Sequence, residues 1–319
     1  MKALVLGLGS IGTRHARNLK SLGVTDVAGM DPAAERRDSF TAEFSAPAYV
    51  SLEAALEQPP DLAIVASPNR FHMPQALACA RLGIPLLIEK PLSHSRDGVE
   101  ELAQEAAKRR LFVHVGSNWK FHPAFQTMKR LLEQGDIGRP VGAQVLAGQW
   151  LPDWHPWEDY RKGYSARRDL GGGVMLDAHE FDYLTWLLGP VTSIAGFAVR
   201  TGALEIETDD VASVSLKFAS GALATMQLDY IQREPRRRYH ITGTEGTIEW
   251  NLQYGRVDLI RAADKTTQSF AVPLGDVNEM YVKQTRHVLD AIAQGLPPVT
   301  SLAQAAAVLE LQLGLKDRS

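Results

Sequence analysis

The residues whose chemistry stands out first are Glu89 and Lys90, which follow three consecutive aliphatic residues and precede Pro91. Such an aliphatic run is typical of a strand buried on both faces of a parallel sheet. Proline ends the strand there, because it has no N–H and a fixed φ. Ligands bind at the carboxyl edge of open α/β sheets, and a partly desolvated lysine at that edge can exchange a proton. The alternative is an ordinary solvated ion pair.

A second candidate site is the glycine pattern near the start of the chain. Residues 2–6 read as an apolar strand, residues 13–19 read as a helix, and G-x-G-x-x-G lies between them. Gly7 permits a tight turn, Gly9 lets the backbone approach a pyrophosphate, and Gly12 lets the helix pack closely. Phosphates would then meet free N–H groups at the positive end of the helix dipole. The predicted phosphate-binding residues are Gly7, Gly9, Ser10, Ile11 and Gly12.

Asp31 bears on which dinucleotide is preferred. It ends a second short strand, about 20 residues beyond the glycine loop, where an acid can accept both hydroxyls of an adenosine ribose. A carboxylate there also repels a 2′-phosphate, so the sequence predicts NAD. NADP stays possible because Arg36 and Arg37 follow nearby. The alternative for Asp31 is a helix N-cap.

The alternation of strands and helices continues through the first part of the chain. Residues 61–66 and 112–116 read as further buried strands, and a helix begins near His72. Repeated strand–helix units predict a doubly wound parallel sheet over residues 1–117. Polar residues after these strands are predicted to line the cofactor trough, although Asn69 and His72 alternatively cap the next helix. The predicted trough residues are Ser67, Pro68, Asn69, His72, Glu89 and Lys90.

The pattern changes after residue 117. Consecutive strand signals joined by short turns predict an α/β domain with an open, mostly antiparallel sheet in residues 118–319. Residues 150–168 are rich in rings and arginines, which suits a polyhydroxylated ligand, unless this loop packs on its own domain. The basic run at 236–238 is interpreted as a solvated face. The candidate substrate contacts are Lys120, Trp154, Tyr160, Arg161 and Asp182.

A predicted helix over residues 174–188 follows three glycines and carries a possible acid–base group. His179 and Asp182 lie one turn apart on one face. A histidine near a cofactor can act as general base, with a carboxylate fixing its tautomer. Asp177 precedes His179 by two positions, about 200° away on a continuous helix, so its role stays open. The alternative for His179 is a structural role.

Composition sets bounds on other functions. The chain has 319 residues and a net charge of -3, so no global positive field recruits nucleic acid or an anionic membrane. One cysteine, Cys79, and nine histidines give no zinc spacing, and we expect Cys79 to be a small core residue. No apolar run is long enough to span a bilayer, and the chain opens on a strand pattern. We expect a cytoplasmic protein without a metal.

Together these residues resemble the Gfo/Idh/MocA oxidoreductases. The resemblance rests on the N-terminal fingerprint, Ser67-Pro68-Asn69 with His72, Glu89-Lys90-Pro91, and residues 171–173 followed by H-x-x-D. It implies hydride exchange between a pyridine nucleotide and a secondary alcohol or ketone of a sugar, sugar acid or nucleotide-sugar. It also implies a homodimer or homotetramer formed through the second sheet. The candidate catalytic residues are then Lys90, His179 and Asp177.

One departure from the family pattern concerns Asp177. The common pattern places an aspartate one helical turn before the histidine, whereas here the interval to His179 is only two residues. Two other functions remain open on the same fold. One is a non-catalytic NAD-binding regulator, and the other is a reductase of a non-carbohydrate substrate.

Overall fold

The computed structural model describes residues 1–273 and 275–316. The chain divides into two compact units. One contains Met1–Asn118 and Asn278–Leu309, and the other contains Trp119–Val277 and the residues from Glu310 onward. The predicted division after residue 117 lies close to the first boundary. However, it assigned every later residue to one domain, whereas Asn278–Leu309 belongs with the first unit.

The first unit contains the predicted doubly wound parallel sheet. Its strand order is β3-β2-β1-β4-β5-β6, and every neighbouring pair is parallel. Two apolar clusters cover the two faces, since alternate residues of β1, such as Val5 and Leu6, enter different clusters. The strands are β1 (Lys2–Leu6), β2 (Asp26–Met30), β3 (Ala48–Tyr49), β4 (Leu62–Val65), β5 (Leu86–Ile88) and β6 (Val113–Val115).

Five helices connect these strands. They are α1 (Ser10–Ser21), α2 (Ala34–Phe44), α3 (Leu52–Leu56), α4 (His72–Arg81) and α5 (Val99–Arg109). Cys79 on α4 is fully buried in one apolar cluster, as predicted. Burial raises the pKa of its thiol to about 12, which makes it unreactive as a nucleophile.

The strand register brings the chemically interesting residues to one edge. Leu6 is paired with Met30 and with Val65, and Val65 is paired with Ile88. These four strands therefore end at the same level. The residues that follow them within two positions, which include Gly7, Asp31, Ser67 and Glu89, lie along the carboxyl edge of the sheet.

The second unit is built on an eight-stranded sheet of order β14-β13-β12-β11-β7-β10-β9-β8. All neighbouring pairs are antiparallel except β7 and β10, which are parallel. Alternating burial along β9 and β10 leaves one face of the sheet exposed. The strands are β7 (Pro140–Gly148), β8 (Val191–Val199), β9 (Val211–Phe218), β10 (Leu223–Asp229), β11 (Arg236–Gly243), β12 (Gly246–Asn251), β13 (Arg256–Arg261) and β14 (Thr267–Ala271).

The predicted helix over residues 174–188 is in fact two helices, which corrects the sequence interpretation. The helices of this unit are α6 (Pro123–Gln134), α7 (Val174–Asp177) and α8 (Glu180–Leu188). Ala178 separates α7 from α8 with extended backbone, and His179 is the N-cap of α8. The amide of Met175 donates to the Asp209 carboxylate, which satisfies an N–H group at the start of α7.

Two helices close the described chain, α9 (Asn278–Gln294) and α10 (Leu302–Lys316). Helix α9 belongs with the first unit because its apolar face completes that unit's core. Val288 is fully buried in the cluster that contains Val5, and burial of such a side chain contributes about 1.5–3 kcal/mol. The Ser117 amide also donates to Gln284 on α9 at 2.7 Å. Within the described residues, no helix is long and apolar enough to cross a membrane.

Candidate functional site

The glycine loop has the geometry that a dinucleotide needs. Gly7 has φ +93, and a Cβ on it would lie 2.7 Å from the Ser67 backbone. A Cβ on Gly12 would lie 1.8 Å from the Gly7 carbonyl oxygen, so only glycine allows α1 to approach the turn. By contrast, the space above Gly9 is open, since the nearest atom to an added Cβ is a guanidinium nitrogen of Arg36 at 3.9 Å. This open backbone at the start of α1 fits a pyrophosphate.

Asp31 is buried and organises this loop. One carboxylate oxygen accepts from the Leu8 amide at 2.9 Å, and the other accepts from the Ala33 amide at 2.9 Å. A guanidinium nitrogen of Arg36, which is 55% exposed, lies 3.4 Å from the carboxylate. Arg37 instead donates to the backbone carbonyls of Asp31 and Pro32. Asp31 therefore has a structural contact to the loop in addition to its predicted position for a ribose.

His72 is the trough residue whose placement departs most from the expectation. Its ring is buried, with Nδ1 2.8 Å from the Pro91 carbonyl oxygen and Nε2 2.7 Å from the Ser67 carbonyl oxygen. Burial lowers the pKa of His72, although the two carbonyls and Glu89 oppose this effect. His72 thus lies within hydrogen-bond distance of both the segment after β4 and the Glu89-Lys90-Pro91 turn.

The other predicted trough residues after β4 occupy a short turn. The Ser67 hydroxyl donates to Gln75 at 2.8 Å. Pro68 precedes a 3₁₀ turn over Asn69–Phe71, and Asn69 is buried. This turn leads directly into α4, so it is positioned at the carboxyl edge by the sheet register.

Glu89 and Lys90 follow β5 at the same edge, and the peptide bond between Lys90 and Pro91 is cis. Oε1 of Glu89 lies 2.7 Å from Nε2 of His15, and Oε2 accepts from the Lys90 amide at 3.2 Å. Burial would raise the pKa of Glu89, but His15 and Lys90 outweigh it and hold that pKa below its usual value. A charged carboxylate therefore contacts the backbone of the lysine.

Sequence reasoning missed His15 as a site residue. It lies three residues after Gly12 on α1, and its side chain is fully buried. Its ring meets Tyr281 edge-on with centroids 6.0 Å apart, and the Arg14 guanidinium lies 4.7 Å above the Tyr281 ring. The signal in the sequence was the position of His15, which shares the inward face of α1 with Gly12 and Leu19.

In the second unit, Lys120 and Asp182 form a pair with an N–O distance of 2.8 Å. The Lys120 side chain is 1% exposed and its Nζ also lies 5.7 Å from the Trp186 ring centroid. Burial lowers the pKa of Lys120, whereas Asp182 opposes that shift. These two predicted substrate contacts are therefore brought together as a polar, largely buried pair.

His179 begins α8, and its Nδ1 lies 2.9 Å from the hydroxyl oxygen of Tyr183. The break at Ala178 means that the 200° separation expected on a continuous helix does not apply to Asp177 and His179. Asp177 is buried, and one carboxylate oxygen accepts from the Ser165 and Tyr230 hydroxyls, both at 2.5 Å. This network anchors α7 just before the break.

Arg237 contradicts the interpretation of residues 236–238 as a solvated face. Its side chain is 17% exposed, and it pairs at 2.9 Å with the buried Glu180 carboxylate at the start of α8. Its guanidinium also lies 4.5 Å above the Trp119 ring. Strand alternation explains the error, since Arg237 shares the inward face of β11 with Tyr239.

In the aromatic segment after β7, the predicted substrate contacts have partners within their own unit. Trp154 packs edge-on against Tyr230 with centroids 5.3 Å apart. The Tyr160 hydroxyl accepts from the Glu205 amide at 3.4 Å. The Arg161 guanidinium, 51% exposed, is paired with Asp159 and Glu205. The segment therefore packs partly on its own domain, and Arg161 would have to exchange a carboxylate partner to bind a substrate.

A metal centre is not formed by the residues described. Across residues 1–273 and 275–316, no group of three or more His, Cys, Asp or Glu side chains is arranged to hold a metal ion.

Comparison with known proteins identifies relatives along the whole chain. The myo-inositol 2-dehydrogenase of Thermotoga maritima is 27% identical over 320 residues, covering 94% of this chain and 91% of the relative. The UDP-N-acetylglucosamine 3-dehydrogenase of Acidithiobacillus ferrooxidans is 28% identical over 263 residues, covering 82% and 74%. A levoglucosan dehydrogenase solved with NADH and levoglucosan superposes with a TM-score of 0.88 at 18% identity, covering 99% of this chain and 96% of that one. This last likeness shows a shared fold.

Family models match both parts of the chain. Residues 1–117 match the oxidoreductase family with an NAD-binding Rossmann fold, and residues 125–249 match the GFO/IDH/MocA C-terminal domain. The glycine loop, Asp31 and the Glu89-Lys90 turn all lie within the first match. The chain therefore belongs to the Gfo/Idh/MocA family of NAD-binding oxidoreductases.

Proposed function

We propose that this chain is an NAD(H)-dependent dehydrogenase that exchanges a hydride with a secondary alcohol or ketone of a sugar, sugar acid or nucleotide-sugar. The observation that carries the proposal is the turn after β5. There a lysine follows a charged Glu89, whose side chain is only 14% exposed, at the carboxyl edge of the sheet and on the same edge as a glycine loop suited to a pyrophosphate. An ammonium group held at that edge is suited to polarise an oxygen.

Bound NAD would supply the hydride acceptor, and the chain would supply its binding residues and the acid–base groups. The open backbone at Gly9 and the start of α1 would hold the pyrophosphate, and Asp31 would hold the adenosine ribose. Asp31 favours NAD, and Arg36 leaves NADP as a weaker ligand. His179 would take or return the hydroxyl proton, while Lys90 would polarise the same oxygen and help to relay the proton.

The second unit would supply the substrate contacts. The Lys120–Asp182 pair offers a buried donor and acceptor, which suits hydroxyl groups. Trp154, Tyr160 and Arg161 would provide a more exposed wall. We assign Asp177 to support of α7 rather than to proton exchange, because its carboxylate already accepts from Ser165 and Tyr230. The named relatives act on an inositol and on a nucleotide-sugar, which supports a polyhydroxylated substrate.

The direct test is a pair of variants assayed on a panel of inositols, sugars, sugar acids and nucleotide-sugars. In Lys90→Met and His179→Gln we expect kcat to fall about 10²–10⁴-fold, the usual contribution of an acid–base group. NADH binding, followed by fluorescence, should persist. Lys108→Met, at an exposed lysine of α5, is the matched control. An unchanged kcat in Lys90→Met would refute the acid–base role of Lys90, and NAD binding by the wild type without turnover of any substrate would favour a regulator over a dehydrogenase.

We further propose a cytoplasmic homo-oligomer, a dimer or tetramer, that associates through the outer face of the second sheet. The outer face of the second sheet exposes apolar side chains both on the edge strand β8 and on the inner strand β10. Phe197 on β8 is 75% exposed and Leu223 on β10 is 59% exposed. Phe197 is paired with Ser213, which is exposed on the same face. The family resemblance implies that a second copy of this chain packs against this face.

A further inference from the structure

Tyr183 places a hydroxyl within hydrogen-bond distance of the proposed acid–base histidine. It lies one helical turn after His179, and its hydroxyl oxygen is 2.9 Å from Nδ1. The two rings are nearly parallel, with centroids 5.5 Å apart and an interplanar angle of 14°. Tyr183 is itself 0% exposed and packs edge-on against Phe125 with centroids 4.9 Å apart. The hydroxyl is therefore held in place by a rigid, buried ring.

The surroundings keep this hydroxyl neutral. Burial raises the pKa of Tyr183 well above its usual value. Arg237 on β11 opposes the shift, while Asp182 and Glu180 on α8 and Tyr239 on β11 add to it. A neutral phenol can accept a hydrogen bond from a ring N–H without placing a negative charge next to the histidine.

The carboxylates closest in sequence to His179 have other bonds. Glu180 is paired with Arg237. One oxygen of Asp177 accepts from Ser165 and Tyr230, and Asp182 accepts from Lys120. We propose that Tyr183 is a positioning residue for His179, holding Nδ1 so that Nε2 is the nitrogen that exchanges a proton with the substrate oxygen. This inference rests on the acid–base role of His179 proposed above.

The step balances without a further reactant. In the oxidation direction, neutral His179 keeps its proton on Nδ1 and uses it to donate a hydrogen bond to the Tyr183 oxygen. Nε2 then takes the proton of the substrate hydroxyl as the C–O bond becomes a carbonyl and the C–H electron pair leaves as hydride to the bound cofactor. The resulting imidazolium keeps its Nδ1–H bond to Tyr183. Reduction follows the reverse order.

The first test measures the tautomer directly by ¹⁵N NMR of the full-length protein, at a pH where the ring is neutral. His179→Gln identifies the His179 signals. An isolated histidine favours the Nε2–H tautomer, so we expect the opposite pattern here, with Nδ1 protonated. Tyr183→Phe should shift the ring back towards Nε2–H. A wild-type ring in the Nε2–H form, or a Tyr183→Phe spectrum identical to wild type, would overturn the inference.

The second test is kinetic. Tyr183→Phe keeps the buried ring, and we expect kcat to fall at least about 10-fold while the substrate KM and NADH binding stay within about twofold, as for loss of a group that orients an acid–base residue. Tyr239→Phe is the matched control, because the Tyr239 hydroxyl is buried and has no hydrogen-bond partner in the described part of the chain. It should leave kcat unchanged. A kcat loss that is equal in both variants would contradict a specific role for Tyr183.

The two proposals can fail separately. If the wild-type protein turns over no member of the panel, the dehydrogenase assignment is wrong whatever the tautomer. If Lys90→Met and His179→Gln both keep the wild-type kcat, the acid–base roles of Lys90 and His179 are wrong. If these variants lose activity while Tyr183→Phe keeps both the wild-type kcat and the wild-type pH–rate profile, only the positioning role is wrong. The NMR measurement needs no substrate, so it stands without knowledge of the sugar.

Discussion

Nε2 of His15 on α1 lies 2.7 Å from Oε1 of Glu89, and the His15 side chain is completely buried. The glycine-loop helix is therefore bonded directly to the turn that carries Lys90. The other Glu89 oxygen accepts from the Lys90 amide. Because both oxygens have partners, the carboxylate is fixed in place and can in turn hold the backbone of the proposed acid–base lysine.

This relationship predicts a stability effect. His15→Phe keeps a buried ring but removes the partner of Glu89, so we expect a loss of about 1–3 kcal/mol in the free energy of unfolding, the usual cost of a buried polar group left without its bond. Urea denaturation measures it. In a double-mutant cycle with Glu89→Gln, the two losses should not add, since they remove one shared interaction. Additive losses would show that the two side chains act independently.

A second prediction concerns the pH dependence of stability. The folded-state pKa of Glu89 lies below its unfolded value, so the stability that Glu89 contributes is present above the unfolded value and is lost as pH falls through the folded pKa. The difference in unfolding free energy between wild type and Glu89→Gln should therefore be largest above about pH 5 and shrink below about pH 4. Glu57→Gln, at an exposed site, is the control. A difference that grows on acidification would contradict this sign.

Much of the first unit could be predicted because its strands are short aliphatic runs buried on both faces. The residues that follow β1, β4 and β5 indicate where these strands end. They are the glycines after β1, Ser67 after β4 and Pro91 after β5. The segment from α2 to α3 escaped prediction, since α2 buries only Phe40 and β3 has two residues. Such short or weakly patterned elements are defined by tertiary packing rather than by periodicity.

The parts of the site that were missed depend on contacts distant in sequence or on a local break. The pattern of α9 predicts a buried face but not the unit against which it packs. The bonds of His15 to Glu89 and of Arg237 to Glu180 join residues far apart in the chain. The position of His179 depends on the extended backbone of Ala178, which no glycine or proline marks.

A third prediction addresses cofactor choice. Asp31→Asn keeps one acceptor oxygen, replaces the other with an NH2 group, and removes the charge that repels a 2′-phosphate. We therefore expect the preference for NADH over NADPH to fall about 10-fold or more, which is at least 1.4 kcal/mol. Arg36, 3.4 Å from the carboxylate, would then be available to a phosphate. Calorimetric titration with both cofactors measures the ratio. The further change Arg36→Ala should remove the gain in NADPH affinity, and an unaltered ratio in Asp31→Asn would exclude this role for Asp31.

The last prediction tests association through the outer face of the second sheet. Phe197→Asp places a charge where Phe197 is 75% exposed, and burying that charge against a second copy would be unfavourable. We expect light scattering after size exclusion to give a mass above 35.0 kDa for wild type and a shift towards 35.0 kDa for the variant. Leu82→Asp, at a residue 52% exposed in the first unit, is the matched control and should leave the mass unchanged. A monomeric wild type at micromolar concentration, or equal masses for wild type and Phe197→Asp, would show that this face is not the interface.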